Sequence, residues 1–414
     1  MKKGFIFLFS ALMICATVGV FVGCADSSSY EPDGQTQKRE QFKEKLSHEV
    51  TQTEALENLE KFLLGKKLPS TRGGDANQLP PITSVYTRGK AAIDTRAGEE
   101  IEPYFHIFNF GNNEGFAIMS GDDRVEPLLA LTFKGELTPE TEIDNPGFEY
   151  AYKKMEEYYV NTVSTRGLTP TFPEIPPKEP LPDPRKGRDT IHLQCPQWGQ
   201  FAPYNKYCYT DDDSLAVTGC IATAVAQLMA IHKYPDSYNG YEFNWDLMTS
   251  DNPGTAGYDQ IARLMQQLGL DINLRMNYGT ESSGTNPTYI LRTLENFGYS
   301  NYGWMEDYNT SRIVQELKNG YPLLVGGSTA DSIGHRWVAH GLIIDSLSLP
   351  IERPLGVITW LPATYTYYIY YNWGWNGLYN GYFLSGVFDT DEPYTGETRA
   401  NYNNNVNVNI NIRK

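Results

Sequence analysis

An α+β fold in two domains is predicted for this 414-residue chain by three features. Helix-like and strand-like periodicities are segregated along the chain, a proline-dense segment interrupts it near the middle, and beyond that segment a helical stretch precedes a strand-rich one. Helices first and strands afterwards make two halves that face one another, and the cleft between them is the natural place for a site. A content of 40% hydrophobic and 13% aromatic residues supports a sizeable core. The formal net charge of -16 argues against a nucleic-acid partner, because no Lys/Arg cluster is available to neutralise phosphates.

Taken in order, the N-terminus has the layout of an export signal: Lys2 and Lys3, a short apolar run, then small residues before Cys24. Residues 1–23 are therefore set apart as a signal peptide. Val22-Gly23-Cys24 resembles a bacterial lipobox, which makes Cys24 a candidate lipidation site. No later stretch is apolar for long enough to span a bilayer, so membrane attachment would come from lipid alone. The expected location is the cell envelope or the outside of the cell.

Residues 37–63 repeat Ala55, Leu56, Leu59, Phe62 and Leu63 at three- and four-residue steps, which predicts a helix. Residues 104–133 change character: two aromatic-rich strands flank "GNNEG" and a third follows "GDDR", a small antiparallel sheet. A helix is predicted over "FEYAYKKMEEYYVNTV". Residues 169–189 hold seven of the 25 prolines and predict an extended, exposed linker, giving domains at 24–185 and 186–414. Thr-Arg recurs at residues 71, 87, 95 and 165, as candidate processing sites in exposed loops. After the linker, residues 190–280 read as mainly helical and 321–412 as strand-rich.

Of the five cysteines, export leaves Cys195, Cys208 and Cys220, an odd number with at least one free thiol. Either Cys195 pairs with Cys208 or none of them pairs. Thr218-Gly219 precedes a long apolar run, so Cys220 falls in the first turn of a helix, where free N–H groups and the dipole stabilise a thiolate. The other reading of Cys220 is a small buried residue packing at a helix start. His232 is roughly 18 Å further along that helix and cannot be the base. His335 and His340 lie in one predicted strand and, being an odd number of residues apart, face opposite sides of it. His192 is a weaker competitor near the linker. Asn372 at a strand end could hold the imidazole, Trp373 could cover that contact from water, and Gln200 could join the Cys220 N–H as an oxyanion donor. Ligand pairs typical of zinc are missing from the sequence, and neither a metal nor a cofactor is implied.

These residues sit in stretches, "TGCIATAVAQLMAIHKYP", "WGQFAPYN", "NYGTESSGT", "NGYPLLVGGS", "GHRWVAHGLII" and "YYNWGWNGLYNGYF", that resemble the streptopain and interpain family of papain-like cysteine proteases. The resemblance covers residues 195 to about 385. It implies a two-lobed papain-like domain, and "YFHIFNFGNNEGFAIMSGDDRVEPLLALTFKGEL" is similar to the family's propeptide, a small domain that blocks the site. By that resemblance Cys220 is the nucleophile, His335 the base, Gln200 an oxyanion donor, Asn372 the orienting group, Trp373 its shield, and Ser282, Ser283 and Gly284 line the substrate cleft. Proteins or peptides would be substrates and the propeptide an inhibitor. The chain departs from the family at Arg336, Ala339 and His340, which stand for a small residue, an aliphatic and an acid. Two other functions fit such a sequence: a catalytically silent lipoprotein that binds or inhibits a protease, and a cysteine amidase or transferase acting on a non-peptide substrate.

Overall fold

In the computed structural model, which describes residues 48–64, 81–91, 101–166, 182–328, 334–353, 357–389 and 406–414, the first helix is α1, Gln52–Leu64. The Thr51 hydroxyl accepts from the Glu54 N–H and the Glu54 carboxylate accepts from the Thr51 N–H, a reciprocal cap that starts it. Ala55 and Leu59 of the expected stripe are buried. The export signal, Cys24, Thr71-Arg72, Thr95-Arg96 and most of the proline-dense segment lie outside the described residues.

Strands β1 (Ile82–Ala91), β2 (Ile101–Phe110), β3 (Phe116–Ser120) and β4 (Leu128–Thr132) form an antiparallel meander. Asn112, Asn113 and Gly115 take the positive φ angles that turn β2 into β3. β1 is an addition to the expected three strands. It carries Thr87-Arg88 in register with His106 and Phe105, so that pair lies in a paired strand instead of an exposed loop. Helix α2, Pro146–Arg166, follows, with Pro146 in its first turn and the Asn145 side chain accepting from the Gly147 and Phe148 N–H groups.

Residues 185–189, expected as linker, are the start of strand β5 (Arg185–His192), antiparallel to β8 (Gly334–Ser348). The longer helices after β5 are α3 (Cys220–His232), α4 (Gly254–Gly269), α5 (Tyr289–Asn296) and α6 (Thr310–Lys318). α3 is buried without a break from Ile221 to Ala230, which is why its sequence is apolar all round. The other strands of the main sheet are β6 (Asn301–Asp307), β7 (Leu323–Ser328), β9 (Thr364–Asn372), β10 (Gly381–Leu384) and β11 (Asn407–Arg413).

One eleven-stranded sheet results, ordered β1-β2-β3-β4-β10-β9-β8-β7-β11-β6, with β5 added on β8. The join is β4 on β10, where Leu131 lies opposite Tyr382. A side chain at Gly381 would come within 2.1 Å of the Leu131 carbonyl oxygen, so glycine is required for the two strands to meet. One apolar core combines α1, α2 and the sheet, and a second packs α3, α4 and α5 against Leu324 and Val338. Among the described residues no helix is long and apolar enough to cross a membrane.

Candidate active site

Cys220 is the first residue of α3, and the loop before it is shaped by Gly219. Gly219 has φ 84°, and a side chain there would lie 2.5 Å from Met276 and 2.7 Å from the Ser283 carbonyl oxygen. Two bonds lock the turn: the Thr218 hydroxyl meets that of Thr223 at 2.8 Å, and the Thr218 N–H donates to the Gln200 carbonyl at 3.0 Å. The second bond brings the "WGQ" segment beside the Cys220 loop.

His335, at the start of β8, is within hydrogen-bonding range of the Cys220 sulfur. Its Nε2 donates to the Trp373 carbonyl at 3.0 Å, which leaves Nδ1 for the thiol. Burial pushes the Cys220 thiol up, but the charge and hydrogen bond of His335 together with the N–H and charge of Arg336 outweigh it, and the thiol is held below its ordinary value. The other two cysteines move the opposite way. Burial pushes Cys195 up to about 12 and also raises Cys208. All three are free, so the Cys195–Cys208 pairing is not formed.

Gln200 is buried, and its side-chain Nε2 has no partner among the described residues. This buried donor without a partner belongs to the segment bonded to the Cys220 loop, and an oxyanion hole is built from such donors. Asn372 is placed differently from the expectation. Its Oδ1 accepts from Gln227 Nε2 at 3.2 Å and from the Gly374 N–H at 3.1 Å, while its Nδ2 donates to the Pro196 carbonyl. The imidazole is thus oriented by a backbone carbonyl, and Asn372 holds the loop that carries it. Trp373 is fully buried, its indole donating to the Tyr379 carbonyl at 2.8 Å. Trp337 stacks on His335 with ring centroids 6.1 Å apart, and Trp375 meets it edge-on at 6.2 Å. Neither tryptophan was singled out from the sequence, although both flank motif residues.

Ser283 uses its hydroxyl to donate to the Val217 carbonyl at 2.7 Å and to accept from the Gly279 N–H. It therefore braces the loop that leads into Cys220. Ser282 and Gly284 are exposed on either side of it. His340 packs on Tyr370 and His192, its Nδ1 donating to the Leu193 carbonyl at 2.8 Å. His232 sits at the far end of α3 against Tyr299. No cluster of three metal-ligating side chains occurs among the described residues.

The N-terminal region covers this site. A side chain on Gly147 of α2 would lie 2.5 Å from His335 Cδ2 and 2.6 Å from the Trp373 ring. Asn145 Nδ2 donates to the Leu378 carbonyl at 3.1 Å, Lys134 Nζ to the Asn376 carbonyl at 2.9 Å, and Phe148 packs on Tyr379 at 4.5 Å.

Residues 198–383 match the Peptidase C10 family, and residues 47–159 match the Spi protease inhibitor family. Residues 198–383 are thus similar to the streptopain–interpain cysteine proteases. The thiol protease/hemagglutinin PrtT of Porphyromonas gingivalis is 24% identical over 369 residues, which are 79% of this chain but 39% of PrtT. Streptopain of Streptococcus pyogenes is 25% identical, the match covering 74% of this chain and 80% of streptopain. A solved prointerpain A fragment from Prevotella intermedia superposes with a TM-score of 0.50 at 22% identity, covering 79% of this chain and 98% of the fragment. The streptopain–interpain fold, a papain-like domain preceded by a small α+β propeptide domain, is thus the fold of this chain.

Proposed function

We propose that this chain is the exported zymogen of a cysteine endopeptidase. The Cys220 thiolate attacks a peptide carbonyl carbon, and the oxyanion that forms is held by the Cys220 N–H and Gln200 Nε2. The His335 imidazolium then gives its proton to the amine as the C–N bond breaks, leaving a thioester on Cys220. Water, deprotonated by His335, attacks that thioester and releases the acid and the thiolate. The observation that carries this reading is a cysteine with a lowered pKa at a helix N-terminus, paired with a histidine against which a residue of the N-terminal region is pressed.

In this reading residues 1–23 are removed on export, Cys24 is lipidated, residues 24–185 are the propeptide, and residues 186–414 are the catalytic domain. Processing falls at the N-terminal end of β5, the strand that is paired with β8 in the catalytic sheet. Incubation of the full chain tests the activity. Wild type converts itself to a shorter form and degrades casein, whereas Cys220→Ala does neither. A Cys220→Ala chain that matures and cleaves as fast as wild type overturns the reading, and a wild type that only binds another protease supports the silent lipoprotein.

A further inference from the structure

Of the tryptophans beside His335, Trp337 and Trp373 are fully buried. Trp375, which meets the imidazole edge-on at 6.2 Å, is only half-buried. Phe201 stands against Trp375 with ring centroids 6.0 Å apart and the two rings perpendicular, and it is 46% exposed. Phe201 also directly follows Gln200, the candidate oxyanion donor. Two perpendicular rings thus form an open apolar corner, with the imidazole on one side and the oxyanion donor on the other.

The corner is rigidly built. Its rings come from two loops far apart in the chain, and those loops are fastened to one another. The Asn376 N–H donates to the Trp198 carbonyl at 3.4 Å. Buried Gln227 of α3 reaches both loops, its Nε2 donating to the Trp198 carbonyl at 3.3 Å and to Asn372 Oδ1 at 3.2 Å. A side chain at Gly199 would lie 2.6 Å from the Asn376 amide, so glycine is what lets the loops come this close.

The chemistry of the site decides what such a corner receives. In the proposed reaction the acyl half of the substrate stays on Cys220, while His335 gives its proton to the departing amine. The residue that carries this amine therefore lies against the imidazole. Its Cβ is separated from that nitrogen only by Cα, which brings its side chain to the Trp375 ring. We propose that Phe201 and Trp375 receive the residue that follows the cleaved bond and select a large apolar side chain there, aromatic above all. This inference rests on Cys220 being the nucleophile and His335 the proton donor.

The test uses the self-processed full chain and quenched fluorescent peptides that differ only in the residue after the bond, which is Phe, Leu, Ser or Lys. Mass spectrometry of the products identifies the bond cut. Wild type cleaves the Phe and Leu peptides with kcat/KM about tenfold above that for Ser. Phe201→Ala brings the Phe-to-Ser ratio close to one, and Phe201→Glu cleaves the Lys peptide faster than wild type does. A wild type that treats the four peptides alike overturns the proposal. So does a Phe201→Ala chain whose rates fall equally for all four, since Phe201 would then act through Gln200. A second peptide set varies the residue before the bond. If Phe201→Ala changes the preference there and not after the bond, the pair serves the acyl half and the proposal is overturned. Should Phe201→Ala not mature, an unmoved Phe-to-Ser ratio in Trp375→Leu overturns it equally. If wild type cuts no peptide, or Cys220→Ala cuts as fast, the protease reading fails and this inference with it.

Discussion

Three thiols in one chain are driven in different directions by their surroundings, and that contrast singles out Cys220. Cys195 and Cys208 are raised by desolvation, whereas at Cys220 neighbouring positive charge overcomes the same penalty. Gln200 is the next residue to test, because a buried amide N–H without a partner costs stability and is kept where a transient charge can use it. Gln200→Ala is expected to lower kcat by about a hundredfold while KM changes little, as steady-state cleavage of a peptide will show. An equal rise in KM with kcat unchanged would mean that Gln200 binds the ground state. Cys220, His335 and Gln200 were legible because each belongs to a motif with a chemical reason. The part of Asn372 was not, since a strand-end asparagine faces several possible partners, and only the packed Gln227 side chain and the Gly374 N–H decide which.

At the scale of elements, α3 was readable for the reason that buries it: ten successive buried positions need an apolar sequence, and Gly219 and Pro235 mark its surroundings. β1 was missed because its side chains are largely exposed or half-buried and its sequence is mostly polar, so no alternation announces it. The N-terminus of α2 is the part of the propeptide region that reaches the site, and Asn145 fastens it twice, as helix cap and as donor to Leu378. Asn145→Ala is expected to cost about 2 kcal/mol at that contact and to shorten the lag before self-processing severalfold, followed on a gel from the full chain. An unchanged lag would place the restraint elsewhere, in Lys134 or the β4–β10 join.

For the molecule as a whole, acid is the expected weakness. Burial draws His340 down to about 3 and His232 down to about 4, and it lowers His192 as well. Histidine in the unfolded chain titrates near 6.5, so below that pH the unfolded state binds protons that the native state refuses. This stability is fully present above about pH 6.5 and is lost as pH falls toward the depressed native values. Denaturant midpoints should drop steadily from pH 7 to pH 4, and His340→Gln should remove about 1 kcal/mol per pH unit of that slope. A slope that His340→Gln leaves intact would move the acid sensitivity to other groups. By itself the sequence determined the α+β class, the order of elements, a cysteine at a helix start and a histidine on a distant strand, because periodicity, capping and motif chemistry are local. Only the tertiary structure decided that the two regions share one sheet and that Trp373 orients the imidazole through its backbone carbonyl. Each of those depends on strands brought together from far apart in the chain, and pairing between distant strands leaves no periodicity in either partner.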